Sequence, residues 1–199
     1  MTVTFFFGKP RQGKTLHMTM NGWNDFQHGR KIYSNYTLTF PDLPNVKFEY
    51  TKMKLNDVLG IQYMELDRRP KTLMIQEASK WFDARHSGKK ENRMLSSVTG
   101  QSGKRNIDIL YDDQFATRID KGLRDVTDYT VLCYCQTSDN TSNGVPIYFE
   151  YTYLRGFLGA PTGKNYKVPA FMMQQFYGFY NTYEMTESAD AQSEREKKK

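Results

Sequence analysis

Apolar residues fall along this chain in two rhythms. Val3-Thr4-Phe5-Phe6-Phe7, the run Lys71-Thr72-Leu73-Met74-Ile75 before Gln76-Glu77, and Asn106-Ile107-Asp108-Ile109-Leu110-Tyr111 are short, dense and rich in strand-forming residues. Runs of that length and composition predict strands buried on both faces. Between them, Leu16, Met20, Trp23 and Phe26 recur at helical spacing. They predict a helix from Leu16 to Gln27, stopped at His28-Gly29. Further helical patterns cover Leu55–Leu59, Gln62–Leu66, Asn92–Gly100 and Ile119–Asp125. Strand composition returns at Lys31–Leu38, Phe48–Tyr50, Tyr129–Cys135 and Ile147–Leu154. Strands alternating with helices predict an α/β fold with a mainly parallel central sheet flanked by helices. Gly156–Lys167 reads as a loop because glycine and proline interrupt it, and Ala170–Tyr180, rich in Met and aromatics, as packing. Residues 1–185 are expected to be one domain, and 186–199, without a large apolar side chain, a disordered polar tail.

Where the first strand gives way to the first helix stands Gly8-Lys9-Pro10-Arg11-Gln12-Gly13-Lys14-Thr15. This is G-x-x-x-x-G-K-[ST], the phosphate-binding P-loop, in the strand-to-helix context that the motif requires. Glycines permit a tight turn whose backbone N–H groups approach phosphate oxygens, and the helix N-terminus adds partial positive charge. Gly8 through Leu16 are therefore the expected nucleotide-binding stretch, with Lys14 reaching the β- and γ-phosphates and the Thr15 hydroxyl a ligand of Mg²⁺. ATP and Mg²⁺ are the expected ligands.

Charge adds a partner class. The net charge of +6 and pI near 9.1 favour an anionic partner such as nucleic acid. The basic stretch Arg85, His86, Lys89, Lys90 and Arg93 reads either as a DNA-phosphate contact or as a solvated charged loop. No run approaches the roughly 20 apolar residues of a membrane span, and the first strand follows Met1-Thr2 directly, so an intracellular soluble protein is expected. Cys133 and Cys135 alternate on one strand, which places them on one face about 6.5 Å apart, long for a disulfide. Buried thiols are expected.

A P-loop needs an acid at the end of a partner strand. Leu73-Met74-Ile75 is expected to lie beside the P-loop strand and to deliver Glu77, which would polarise the attacking water. Gln76 stands where such strands usually carry Asp, so weaker Mg²⁺ binding is expected. Gln114, after the third strand, either contacts the γ-phosphate or sits in a turn. Arg105, Arg118 and Arg124 are candidates for a cation supplied to the transferring phosphoryl group from a neighbouring subunit.

Taken together, the P-loop, the strand ending in Gln76-Glu77, and Gly103-Lys104-Arg105 before a strand ending in Gln114 resemble the FtsK–HerA superfamily of DNA-pumping ATPases. Ile119–Arg124 and Tyr177–Glu184 resemble segments of its compact viral and phage members, and the whole chain is similar in length and order to the genome-packaging ATPases of archaeal viruses. The resemblance implies a RecA-like fold, Arg105 as the arginine finger and Gln114 as the sensor. It also implies ATP-driven packaging of double-stranded DNA by a homo-oligomeric ring, usually a hexamer, working with capsid or vertex proteins in the host cytoplasm or on the virion. Three other readings stay open: a nucleotide kinase with Arg85–Arg93 as its lid, a non-catalytic nucleotide-binding assembly protein, and a filamentous-phage assembly ATPase.

Overall fold

The computed structural model describes residues 2–54, 69–86, 106–141 and 144–181. The expected helices at 55–59, 62–66 and 92–100, Lys89, Lys90, Arg93, Arg105 and the tail at 186–199 lie outside the described residues. One eight-stranded sheet contains β1 (Val3–Phe7), β2 (Lys31–Ser34), β3 (Tyr50–Lys52), β4 (Lys71–Ile75), β5 (Ile107–Asp113), β6 (Tyr129–Thr137), β7 (Pro146–Arg155) and β8 (Pro161–Pro169). Their order across the sheet is β3-β2-β4-β5-β1-β6-β7-β8. Strands β3 to β6 in that order pair in parallel, and β7 and β8 add an antiparallel edge.

The central strands have no exposed face. Phe5, Leu73, Ile75, Ile109 and Tyr111 point into one core, with Trp81, Phe82, Ile119 and Leu123 packed over them. Their alternates Phe6, Met74 and Leu110 enter the other core, beneath Leu16, Met18 and Phe26 of the helix α1 (Lys14–Gln27). That is the period-two alternation of a strand, apolar on both sides. Phe5 is wholly buried and stacks between Tyr111 and Phe157, with ring centroids 4.8 and 5.1 Å away.

Three sequence expectations are corrected. Strand β4 does not adjoin the P-loop strand: β5 lies between them, pairing Phe5 with Tyr111 on one side and Ile75 with Tyr111 on the other. Both β4 and β5 are apolar on both faces, so either could have filled the place beside β1. The segment expected as a loop contains β8, which completes a hairpin with β7. Its side chains are mostly exposed, so no apolar alternation marks it, and its prolines stand at its ends, where an edge strand tolerates them. Strand β2 stops at Ser34 and does not reach Leu38, because the Ser34 hydroxyl donates to the Tyr36 carbonyl and accepts from the Tyr36 amide, turning the chain.

The thiol expectation holds: Cys133 and Cys135 are free, buried and in one core, and burial pushes the Cys133 thiol well up from its ordinary range. Truncating the stacked ring tests the packing: Phe5→Ala is expected to lower unfolding free energy by about 3–5 kcal/mol. Urea denaturation followed by circular dichroism measures it, and a loss below about 1 kcal/mol would contradict the packing described.

Candidate functional site

Parallel packing brings the C-terminal ends of β1, β4 and β5 to one edge, and the P-loop crosses that edge. Gly8 is needed there because a Cβ would stand 2.6 Å from the Cys133 carbonyl oxygen of β6. Gly13 sits at φ +79, and a Cβ would stand 2.7 Å from the Phe149 ring. Gln12 ties the loop down, its Oε1 accepting from the Cys135 amide at 2.7 Å. Helix α1 then starts at Lys14 without a side-chain cap and without an acidic residue in its first turn. Its opening N–H groups are left for an anion, at the positive end of the helix dipole. The helix is seated on β7 through His17, whose ring stacks on Tyr151 at 3.9 Å and whose Nε2 lies 2.9 Å from the Tyr153 hydroxyl. Burial pulls the His17 pKa down to about 3, so its ring is neutral.

Above the loop lies a cleft of about 300 Å³ lined by Pro10, Arg11, Gly13, Lys14, Thr15, Leu16, Gln76, Glu77, Asp112, Asp113, Gln114 and Tyr180. Lys14 Nζ donates to the Lys9 carbonyl at 3.0 Å, folded over the loop. Glu77 follows β4 in the left-handed region at φ 52, uncommon for a residue with a Cβ and the kind of strain found at functional sites. Its carboxylate is paired with Lys80. Gln76 is held through its backbone: the Asn35 side chain accepts from the Gln76 amide at 2.7 Å and donates to its carbonyl at 2.9 Å. The Gln76 side chain reaches toward Thr15, with Nε2 3.5 Å from Thr15 Oγ1, while its Oε1 is buried with no hydrogen-bond partner among the described residues.

At the end of β5, Asp112 is 1% exposed. Its Oδ2 accepts from the Thr15 hydroxyl and its Oδ1 from the Glu77 amide, each at 2.7 Å. Burial pushes its pKa up to about 6, against the pull of the Glu77 amide, Lys14 and the Thr15 hydroxyl. Asp113 instead caps turns, accepting from the Ser79 and Phe115 amides at 2.7 and 2.8 Å.

Of the expected site residues, the cleft gathers Pro10, Arg11, Gly13, Lys14, Thr15, Leu16, Gln76, Glu77 and Gln114. Gly8, Lys9 and Gln12 line a second cavity of about 800 Å³ against β6, and Gln114 borders both. Arg118 and Arg124 line neither: the Arg118 guanidinium lies 4.1 Å over the Phe115 ring and that of Arg124 5.7 Å over Phe157. Arg85 is paired with Asp83. Sequence reasoning missed Asp112, Asn35 and Tyr180. Asp112 was legible only as a polar strand end, and Asn35 only as part of an assumed strand. Tyr180 reaches the cleft because the chain after the helix α3 (Ala170–Met173) returns along Leu38 and Thr39.

No protein-family model matches the chain, and no curated protein is detectably similar to it in sequence. Solved structures are similar in shape. The N-terminal domain of zonular occludens toxin from Neisseria meningitidis superimposes with a TM-score of 0.61 at 18% identity, over 90% of this chain and 98% of that one. The genome packaging NTPase of Sulfolobus turreted icosahedral virus 2, in complex with ATP-gammaS, gives 0.52 at 9% identity, over 84% and 96%. The cytoplasmic domain of the type VII secretion ATPase EccC from Thermomonospora curvata gives 0.52 at 10%, over 84% of this chain and 23% of that one. With the strand order and the loop geometry, these likenesses establish the fold as that of a RecA-like P-loop NTPase: a mainly parallel central sheet flanked by helices.

Proposed function

We propose that this protein hydrolyses ATP and uses the reaction to move double-stranded DNA, packaging a viral genome into a preformed capsid. The observation that carries the reading is the convergence of Lys14, Thr15, Glu77 and Gln114 on one cleft at the C-terminal edge of the sheet. The likeness to a genome packaging NTPase that binds an ATP analogue supports it.

Backbone N–H groups from Gly13 onward would bind the phosphates, and the Lys14 ammonium would leave the Lys9 carbonyl to reach the β- and γ-phosphates. The residues present suit Mg²⁺: a threonine hydroxyl lies beside a carboxylate, and a buried amide oxygen has no partner among the described residues. The Thr15 hydroxyl would hold that ion, whose chemistry when bound would be neutralisation of the charge that develops on the phosphates. Glu77 orients and polarises the attacking water once its carboxylate is released from Lys80. Gln114, at the wall between the two cavities, contacts the γ-phosphate or the water and passes its loss to the segment that leads into the helix α2 (Lys121–Asp125).

The remaining assignments are carried by the family resemblance. Arg105 acts across a subunit interface as the arginine finger, with Arg118 and Arg124 as alternatives. The ring is a hexamer that works with capsid or vertex proteins, in the host cytoplasm or on the virion. Arg85, Lys89, Lys90 and Arg93 face the DNA phosphates. Among the described residues no helix is long and apolar enough to cross a membrane. A second reading, favoured by the likeness to a secretion ATPase, is a motor that acts on protein.

Hydrolysis assays with and without double-stranded DNA separate these readings. Wild-type turnover is expected to rise with double-stranded DNA; stimulation only by a protein would transfer the proposal to the second reading. Lys14→Ala should lose ATP binding. Glu77→Gln should keep ATP while turnover falls by about 100- to 10,000-fold; unchanged turnover would remove Glu77 from the chemistry. Neutralising Lys89 and Lys90 to Ala should lower DNA affinity and reduce the slope of log K against log salt by about 2. An unchanged slope would discard the basic stretch as a DNA contact.

A further inference from the structure

We propose that Asp112, from β5, supplies the carboxylate of the Mg²⁺ shell that the end of β4 lacks. The inference rests on the nucleotide reading above and departs from the expectation, drawn from Gln76 alone, that metal binding is weak. In P-loop NTPases the ion is held by the loop hydroxyl and by an acid from a neighbouring strand. Here the residue that follows β4 is Gln76, a neutral amide whose Nε2 is 3.5 Å from Thr15 Oγ1. Asp112 comes from the intervening strand β5 and is 2.7 Å from that same oxygen.

The geometry gives Asp112 two tasks. A hydroxyl has one proton, and Thr15 donates it to Asp112 Oδ2, which turns the oxygen lone pairs toward an incoming cation. The other carboxylate oxygen, Oδ1, accepts the Glu77 amide and so fixes the backbone that carries the water-steering carboxylate. One side chain therefore registers the metal ligand and the proposed base against each other. Asp112 is almost fully buried; the Lys14 ammonium acts on it from a distance, and among the described residues no cation pairs with it directly. An anion so placed calls for a compensating positive charge. Its neighbour Asp113 is directed elsewhere: it accepts the Ser79 and Phe115 amides, whereas Asp112 is the aspartate that meets the loop hydroxyl of Thr15. The buried Gln76 Oε1, with no partner of its own among the described residues, suits a water in the metal's hydration shell.

The test reads nucleotide affinity directly. ADP binding to the full chain is titrated by calorimetry in EDTA and again across a Mg²⁺ series, for the wild type, Asp112→Asn, Gln76→Ala and the exchange Gln76→Asp with Asp112→Asn. The expected result is a Mg²⁺ affinity about 10- to 100-fold weaker in Asp112→Asn. Affinity for metal-free ADP should be retained or rise there, because an anion beside the phosphates is neutralised. Gln76→Ala should change the Mg²⁺ affinity less than Asp112→Asn does, and the exchange should recover part of the loss. Wild-type Mg²⁺ affinity in Asp112→Asn overturns the proposal, as does loss of metal-free binding in equal measure, which marks a purely structural clamp. Should Asp112→Asn fail to fold, wild-type protein carrying ¹³C-carboxyl aspartate and loaded with Mn²⁺ and ADP decides by electron–nuclear double resonance. A carbon coupling from aspartate that persists in Asp113→Asn supports the assignment, and its absence overturns it. If the wild type binds no ADP under any condition, the nucleotide reading itself fails, an outcome distinct from binding whose metal dependence ignores Asp112.

Discussion

Burial of β1, β5 and β4 on both faces is the constraint from which the rest follows. A strand apolar on both sides must be covered above and below, which forces helices and loops to cross from one side of the sheet to the other. Side by side in parallel, such strands all end at the same edge, and there the backbone runs out of ladder partners. The P-loop, Gln76-Glu77 and Asp112-Asp113 are what this chain puts at that edge. The alternation of Phe5 with Phe6, and of Ile109 and Tyr111 with Leu110, thus does more than fill two cores. It sets the height at which each strand stops, and with it the distance between a hydroxyl on one segment and a carboxylate on another.

The site is held by backbone contacts more than by charge pairs. Asn35 grips the peptide of Gln76, Gln12 grips the peptide of Cys135, and Asp112 and Asp113 together accept three amides. Hydrogen bonds of this kind to buried main-chain groups are costly to lose, because the orphaned partner stays desolvated. They hold the cleft in shape while leaving Lys14 and Glu77, the groups expected to engage nucleotide and water, on contacts that exchange readily: a carbonyl for one and a surface lysine for the other.

Local features of the fold were legible in the residues because they follow from short-range rules. G-x-x-x-x-G-K-T between an apolar run and a helical period specifies a strand, a tight loop and a helix, and all three are present at those positions. Neighbour relations were not legible. Nothing in Leu73-Met74-Ile75 distinguishes the strand beside β1 from the one beyond it, since pairing order is decided by crossover geometry and by rival strands of equal hydrophobicity. The same gap hid Asp112: a polar residue at a strand end gains meaning only once that strand is known to abut the P-loop. Strand β8 escaped for a different reason, because an edge strand with both faces near water carries no apolar alternation.

The placement of the two sulfur atoms has a practical side. The chain contains only Cys133 and Cys135, and both thiols are enclosed in the core beneath α1, with burial opposing formation of the reactive thiolate. A maleimide dye or spin label would therefore couple faster to a cysteine introduced on the surface than to the native sulfurs of the folded protein. Motions of chosen segments can then be followed by fluorescence or spin resonance in a background that needs no prior removal of sulfur.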